Sequence, residues 1–229
     1  MSDGAKSENT RTFTPALGKG WLTPFYDATI GLLTREQAWR GALVRAAALE
    51  PGDKVIDVGS GTGSLLRQLM TSCPPTKLAG VEPDPDALAI ARRKFGYASD
   101  LIRWHNGFLD TLSLPVGWQP NKVVSSLVLH QVPLEQKRLI LEQISALLVP
   151  GGMVLIADYM HQESPLMRRL FRTTVQQLDG REDTQPNSDG MIERHLQDIF
   201  ERTECLQVFQ TVTGAISLWR GYAKKVNLR

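Results

Sequence analysis

A short apolar run followed by alternating glycines constrains the fold of this chain more than any other feature. Val55–Val58 has the composition of a buried strand, and Gly59, Gly61 and Gly63 follow at every second position before a helical pattern begins at Ser64. Glycines let the backbone turn sharply and bring its N–H groups close to a ligand, where a Cβ would collide. This strand, turn and helix predict the first unit of an α/β sheet with a ligand at the turn.

The rest of the chain alternates short apolar runs with amphipathic stretches, which predicts a doubly wound α/β sheet. A Pro-Gly-Gly stop at residues 150–152 separates the last of these helices from the fifth strand. The predicted strands are Lys54–Val58, Lys77–Glu82, Ile102–His105, Lys122–Leu127 and Met153–Asp158. The predicted helices are Phe25–Leu33, Arg35–Leu49, Ser64–Cys73, Pro85–Phe95 and Pro133–Leu148.

The C-terminal end departs from this alternation. A predicted helix, Met191–Arg202, precedes two apolar strands, Leu206–Thr213 and Ile216–Lys224, with Gly214 and Ala215 as the turn. Two strands this close must pair antiparallel, because a parallel pair needs a crossover of about a dozen residues or more. The sequence therefore predicts a mostly parallel sheet that ends in an antiparallel hairpin.

The domain organisation follows from the segments outside the alternation. Residues 1–20 are polar and are expected to be a disordered lead-in, and residues 21–229 form one domain with an N-terminal helical cap at 21–50. Residues 159–190 are an insertion in which an apolar helix face precedes a polar loop at 183–188. We expect this insertion to cover the site as a lid, although a surface helix packed on the sheet fits the pattern equally well.

Composition and charge exclude several classes of protein. A net charge of +2 over 229 residues, without a basic and aromatic stripe, disfavours a nucleic-acid partner. No apolar run reaches the roughly 18 residues that an integral membrane segment requires. Cys73 and Cys205 have no partner motif, so we expect a cytoplasmic protein without a metal site. The sequence leaves a monomer and a homodimer open.

The acidic residue at the end of the second predicted strand narrows the ligand. Glu82 can accept hydrogen bonds from both hydroxyl groups of a ribose. A phosphate-binding loop would need a lysine after the glycines, and none follows. The dinucleotide pattern needs Gly or Ala where Ser64 stands. The glycine turn and Glu82 together predict a cofactor that contains a nucleoside.

The motif from Asp57 to Gly63, with Glu82-Pro83 after the second strand, resembles the class I S-adenosylmethionine-dependent methyltransferases. The likeness covers roughly residues 35–225. It implies a Rossmann-like sheet of seven strands, in which the C-terminal hairpin is included. It also implies S-adenosyl-L-methionine as the cofactor, S-adenosyl-L-homocysteine as the product, and no metal.

Within that family, the chain is similar to the ubiquinone/menaquinone biosynthesis C-methyltransferases. The likeness rests on Leu22–Asp27, on Trp39-Arg40 and on the glycine motif. Phospholipid N-methyltransferases look alike at this level. The resemblance therefore indicates a neighbourhood of enzymes and leaves the methyl acceptor open.

The resemblance implies which strand-end residues bind the cofactor. The glycine turn faces the amino-acid part and the ribose, and Asp57 positions that turn, contacts the cofactor ammonium through water, or caps nearby N–H groups. Phe108 stands where many relatives have an aspartate that binds adenine, so its backbone or Asp110 is left for that contact. Packing of Phe108 and Leu109 on the purine face is an alternative, as is Asp110 as a helix cap or turn residue. The predicted cofactor-binding residues are Asp57, Gly59, Ser60, Gly61, Gly63, Glu82, Pro83, Gly107, Phe108 and Ser125.

The segment after the fourth strand faces the methyl group and the acceptor in this family. His130 is the candidate catalytic residue there, either as a general base or as a wall of the site that caps the following helix. A base is needed only if the acceptor must lose a proton, because positioning and desolvation supply much of the rate. The residues expected to face the acceptor are Tyr26, His130, Gln131, Asp158 and Tyr159.

The absence of motifs that other methyltransferases carry further limits the classes of methyl acceptor. The tetrapeptide of DNA amino-methyltransferases is replaced by Leu129–Val132, and arsenite methyltransferases need more cysteines than this chain has. A small-molecule or lipid-like acceptor remains, methylated on carbon, oxygen or nitrogen. Two alternatives stay open: a catalytically inactive partner protein that binds the cofactor, and a nicotinamide-dependent oxidoreductase that the glycine spacing disfavours.

Overall fold

Seven strands form one sheet in the computed structural model, which describes residues 34–74 and 76–225. In chain order they are β1 Lys54–Val58, β2 Lys77–Glu82, β3 Ile102–Asn106, β4 Lys122–Ser126, β5 Met153–Tyr159, β6 Arg202–Thr211 and β7 Gly214–Tyr222. They lie in the order β3-β2-β1-β4-β5-β7-β6, with β1 to β5 parallel and β7 antiparallel to both of its neighbours. The predicted seven-stranded, mostly parallel sheet with a C-terminal antiparallel hairpin is confirmed.

Helices and short 3-10 turns connect these strands. Asp84 and Ser164 each accept a backbone N–H of the helix that follows, and a proline occupies the first turn in both cases. The α-helices are α1 Glu36–Ala47, α2 Ser64–Ser72, α3 Pro85–Phe95, α4 Leu134–Leu147, α5 Pro165–Thr173, α6 Val175–Asp179, α7 Arg181–Ser188 and α8 Met191–Ile199. None of these helices, within the residues described, is long and apolar enough to cross a membrane.

The core consists of two apolar clusters, one on each face of the sheet. Val55 and Ile56 are neighbours in β1 but belong to different clusters, because successive strand residues point to opposite faces. The first cluster includes Trp39 of α1 and Phe171 of α5, and the second includes Leu141 of α4. The sheet is therefore covered on both faces, as a parallel sheet requires.

The position of β1 determines where a ligand can bind. β1 lies between β2 and β4, so the chain leaves it toward one side of the sheet and later returns on the other. This reversal opens a crevice beyond the carboxyl ends of the strands, which is where open α/β sheets bind ligands. The Gly59–Gly63 turn, Glu82 and Leu127 all follow or end these three strands.

Three predictions about the C-terminal part are wrong in detail. Residues 183–188, predicted as a polar loop, belong to α7, because Thr184 and Asn187 are buried and the Asn187 Nδ2 donates to the Tyr159 carbonyl at 2.7 Å. The hairpin turn lies at Val212-Thr213 rather than at Gly214-Ala215. The predicted helix 191–202 ends at 199, and the longer β6 begins at 202.

The division into a lead-in, a cap and a lid stays a prediction. The helix Glu36–Ala47 falls within the predicted cap, whereas the predicted helix Phe25–Leu33 lies outside the described residues. The insertion at 159–190, which we call the lid, folds as α5, α6 and α7.

Close packing behind the glycine turn predicts a loss of stability in Gly80→Ala. A Cβ at Gly80 would lie 2.8 Å from Leu66 Cδ1 and 2.9 Å from both Ser60 Oγ and Trp104 Cε3. We expect the free energy of unfolding in urea to fall by about 1–3 kcal/mol, as for other overpacked cores. Gly41→Ala is the control: its nearest atom is 3.4 Å away, and alanine in a helix should stabilise by about 1 kcal/mol. Equal stability of Gly80→Ala and the wild type would contradict the packing.

Candidate cofactor and acceptor site

The glycine turn is fastened to the neighbouring strand by its own backbone. The N–H groups of Gly59 and Ser60 both donate to the Val81 carbonyl, at 2.9 and 3.1 Å. Gly59 has a φ of +72°, and a Cβ there would lie 2.2 Å from Val128 Cγ2. A side chain is therefore excluded at Gly59 by both conformation and space. The same contact brings the segment after β4 directly against the turn.

The other two glycines of the motif have different surroundings. A Cβ added at Gly61 would meet no atom of residues 34–74 or 76–225 within 4 Å, so these residues leave the turn open at this point. A Cβ at Gly63 would lie 2.9 Å from Phe95 and 3.1 Å from Ala91, which are both in α3. Gly63 thus lets α2 begin close to α3, and its predicted contact with the cofactor stays a prediction.

Glu82 links the turn to the start of α3. Its Oε2 accepts the Gly61 N–H at 2.7 Å, and its Oε1 accepts the Asp84 N–H at 3.0 Å. Burial raises the pKa of Glu82, and these two N–H groups oppose that rise. Each carboxylate oxygen keeps a second lone pair, so the predicted acceptance of ribose hydroxyls is compatible with both bonds.

Asp57 is a buried carboxylate that has no hydrogen-bond partner in the described part of the chain. It is 1% exposed, and neither oxygen is bonded to any of the residues that the structure describes. Burial raises its pKa to about 7; Arg40 opposes the rise and Glu82 adds to it. An unpaired buried carboxylate is costly, so it fits a site that receives a cationic group. Its predicted role toward the cofactor ammonium stays a prediction.

Arg40 reaches this region from α1; the sequence alone is equally compatible with a contact to the cofactor carboxylate and with an arginine on the helix surface. Its guanidinium pairs with Glu36 and lies 5.1 Å from the Trp39 ring. Burial lowers the pKa of Arg40, while Glu36 and then Asp57 oppose that shift. Arg40 therefore places a positive charge near the otherwise unpaired carboxylate.

The remaining predicted cofactor residues lie at the ends of β2, β3 and β4. Gly107 donates its N–H to the Glu82 carbonyl at 3.1 Å, and Pro83 accepts from the Asn106 side chain. Phe108 is half-buried directly after Gly107. The Ser125 hydroxyl donates to the Val58 carbonyl at 2.9 Å and is buried between β4 and β1. These residues line one edge of the sheet, and their cofactor contacts stay predictions.

The segment after β4 is held by one carboxylate. Asp158, fully buried at the end of β5, accepts the N–H groups of Val128 and Leu129 at 3.0 and 2.7 Å on Oδ2. Its Oδ1 accepts the Tyr159 N–H and lies 2.7 Å from His130 Nδ1. Asp158 was predicted to face the acceptor, but in the structure it contacts the backbone and His130.

His130 lies between two carboxylates. Its Nδ1 faces Asp158, and its Nε2 lies 3.4 Å from Oδ2 of Asp179 in the lid. Burial would lower the pKa of His130, but the two carboxylates outweigh burial and raise it to about 9. With Asp179 in place, the imidazole is therefore protonated at neutral pH and cannot act as a base.

Tyr159 and Gln131 complete the predicted acceptor wall. The Tyr159 ring meets His130 edge-on at 5.2 Å, and its hydroxyl lies 2.7 Å from Thr213 Oγ1. Burial raises the pKa of Tyr159 to about 12, so its hydroxyl stays protonated. Gln131 is half-buried and lies next to His130 in a 3-10 turn. Tyr26 lies outside the described residues.

Lys137 is a buried cation that the sequence analysis missed. It is 0% exposed, and its Nζ donates to the carbonyls of Leu129 and His130. Burial lowers the pKa of Lys137 to about 8, although Asp158 and Asp183 act in the opposite direction. A lysine within an amphipathic helix carries no sequence signal of such burial. Asp179 was missed for the same reason.

Comparison with known proteins identifies the family. A model of the methyltransferase domain matches residues 55–152. An uncharacterised methyltransferase of Bacillus velezensis is 30% identical over 159 residues, which cover 67% of this chain and 70% of the relative. The chain belongs to the class I S-adenosylmethionine-dependent methyltransferases.

Two further methyltransferases show how far the similarity in sequence and in fold extends. The ubiquinone/menaquinone biosynthesis C-methyltransferase of Syntrophotalea carbinolica is 25% identical over 66% of this chain and 63% of the relative, so the chain spans about three-fifths of that protein. The N-methyltransferase NodS from Bradyrhizobium japonicum shares the fold, with a TM-score of 0.62 and 15% identity over 83% of this chain and 97% of NodS.

We expect Asp57→Asn and Asp53→Asn to have opposite effects on the stability of this methyltransferase. The pKa of Asp57 is raised from 3.8 to about 7, so its ionisation opposes folding as pH rises through that range. Above pH 7, Asp57→Asn should therefore raise the free energy of unfolding, by about 1 kcal/mol or more. The same change should weaken binding of S-adenosylhomocysteine, because the ammonium loses its counter-charge.

Asp53→Asn is the matched control. Hydrogen bonds from Glu50 N–H, Lys122 and Asn121 outweigh partial burial and lower the pKa of Asp53, so this carboxylate stabilises the fold above its usual pKa. Its loss should destabilise the protein at neutral pH and leave cofactor affinity unchanged. Urea unfolding from pH 4 to 8, with calorimetric titration, measures both. An Asp57→Asn protein that is less stable at pH 8 would contradict the assignment.

Proposed function

We propose that this protein transfers the methyl group of S-adenosylmethionine to a small-molecule or lipid-like acceptor by in-line displacement. The observation that supports this most is the buried Asp57 carboxylate, which has no hydrogen-bond partner among the described residues, together with the turn at Gly61, which the described residues leave open. Membership of the methyltransferase family supports the same activity. A structure of the related-fold protein NodS in complex with S-adenosyl-L-homocysteine is compatible with this cofactor.

The chain supplies binding and orientation in this proposal. S-adenosylmethionine, when bound, provides an electrophilic methyl on a sulfonium, which leaves with the bond electrons on sulfur as the acceptor forms its new bond. Asp57 holds the ammonium end, the glycine turn lies against the amino-acid part and the ribose, and Glu82 accepts the ribose hydroxyls. Asp57 and Glu82 are buried, and a desolvated centre aids displacement.

The acceptor is proposed to bind beside the 3-10 turn that contains His130. Val128, two residues earlier, contacts the glycine turn at Gly59, so an acceptor at this turn lies next to the cofactor. The names of two relatives refer to quinone biosynthesis, which supports an aromatic, lipid-like acceptor. We also propose a cytoplasmic location, which the free thiols of Cys73 and Cys205 fit.

An inactive cofactor-binding protein is the second candidate. Its support is that Asp179 of the lid lies at His130 Nε2, beside the 3-10 turn where an acceptor would bind. A methyl-transfer screen with isotopically labelled S-adenosylmethionine over quinols, phenols, amines and thiols separates the two candidates. Cofactor binding without transfer to any acceptor class would favour the inactive protein.

Loss of the Glu82 carboxylate should weaken the cofactor complex. In Glu82→Ala we expect the affinity for S-adenosylhomocysteine to fall by about 1–3 kcal/mol, because two ribose hydrogen bonds are lost. Isothermal titration with S-adenosylmethionine, S-adenosylhomocysteine and NAD measures this and compares the cofactor classes. Glu142→Ala is the control, since Glu142 pairs with Arg138 on the surface of α4, away from the site. Binding of NAD, with no binding of either sulfur nucleoside, would overturn the proposed function.

A further inference from the structure

The lid contacts the candidate acceptor site through an ion pair at the end of α6. Asp179, the last residue of that helix, places its Oδ2 3.4 Å from His130 Nε2. Its neighbours are open to solvent: Leu178 is 65% exposed, and Gly180 is also exposed, with a φ of +83°. The end of α6 is therefore weakly packed, and Asp179 turns inward from it toward the histidine.

The two carboxylates at His130 differ in how firmly they are held. Asp158 is 0% exposed and accepts three backbone N–H groups in addition to facing Nδ1. The Asp179 side chain is 24% exposed, and its distance of 3.4 Å is long for a charged hydrogen bond. Asp158 is thus a fixed partner, whereas the partner at Nε2 can be exchanged.

The other charged groups around His130 leave its Nε2 as a position where an anion is favoured. Asp158 and Tyr159 approach from β5, Asp179 from α6 and Lys137 from α4, and Asp183 of α7 acts on Lys137. Tyr159 is neutral, and the positive charge of Lys137 lies at the carbonyls of the 3-10 turn. The imidazolium is therefore the cation that faces the exchangeable position.

We propose that Asp179 occupies the place at His130 Nε2 that an acidic hydroxyl group of the methyl acceptor takes, as an oxyanion, when α6 moves aside. This inference rests on the proposed function and specifies its substrate class: a phenol or an enol. Such a hydroxyl releases its proton to solvent on binding and then accepts a hydrogen bond from Nε2–H. The charge arrangement left by Asp179 is thereby restored. An amine acceptor would instead bring a cation against the imidazolium.

The proposed hydroxyl subsite at His130 Nε2 lies close to the cofactor turn, as in-line displacement at the methyl group requires. His130 follows Val128, whose methyl group fills the space above Gly59, so the oxyanion lies beside the cofactor turn. The electron-rich oxygen, or a ring carbon conjugated with it, is then held close to the methyl group. His130 acts here as a positioning residue and hydrogen-bond donor, and a separate base is not required for binding.

The test follows the ring nitrogens of His130 by NMR in the full-length protein, free and saturated with S-adenosylhomocysteine. Asp179→Asn should lower the pKa of His130 by about one unit, because one of its two anions is lost. It should also tighten binding of 1-naphthol by about fivefold or more, because the lid no longer competes for Nε2. 1-Methoxynaphthalene, which lacks the hydroxyl, should bind the variant and the wild type alike.

Two further variants make the outcome decisive. Glu182→Gln removes the same charge from an exposed position of α7 and should change neither the His130 titration nor naphthol binding. Asp179→Glu keeps the charge and should keep the raised pKa. An unchanged His130 pKa in Asp179→Asn, or naphthol binding that is absent or no tighter than in the wild type, would overturn the inference. Failure of S-adenosylhomocysteine to bind would instead refute the proposed function. The two failures can be distinguished, because the His130 titration of the free protein reports the lid contact without any cofactor.

Discussion

The contact between the glycine turn and the segment after β4 is the constraint on which the site depends. Val128 occupies the space that a side chain at Gly59 would need, and the Val81 carbonyl accepts two N–H groups of the turn. The carboxyl ends of β1, β2 and β4 are thereby held within one crevice. A cofactor bound on the turn and an acceptor bound beside His130 are neighbours for this reason, and no further element has to bring them together.

Asp158 and Asp57 are both buried carboxylates at this edge of the sheet, but they differ in their hydrogen-bond partners. Asp158 receives three N–H groups and faces an imidazole, so its charge is compensated and it fixes the 3-10 turn. Asp57 receives no hydrogen bond from the described residues, and its pKa rises accordingly. The Asp158 carboxylate stabilises the fold. Burial of the ionised Asp57 carboxylate instead lowers the free energy of unfolding, and a bound cationic ligand would compensate for this. Stability and binding are therefore opposed at Asp57.

Local patterns in the sequence predicted the five parallel strands, the hairpin and the glycine turn, because apolar periodicity and glycine spacing are properties of neighbouring residues. Helix α7 escaped prediction, since its buried residues are Thr184, Asn187 and Ser188, which are residue types typical of loops. Only the fold supplies the Tyr159 carbonyl as a partner for Asn187. Lys137 and Asp179 were missed for a similar reason. Their partners lie on distant elements, and only the folded arrangement shows that these charges are buried or directed inward.

The protonation of His130 depends on the conformation of the lid. Burial lowers the pKa of the imidazole, and the anions of Asp158 and Asp179 together outweigh that effect. When α6 departs without a replacement, one anion is lost and the imidazole releases its proton more readily. When an acidic hydroxyl replaces Asp179, the second anion is restored and the proton stays on Nε2. The lid and the acceptor thus compete for the same hydrogen bond, and the charge of His130 reports which of them holds it. A histidine that is a poor base in the closed form is for this reason a suitable donor to an acceptor oxyanion.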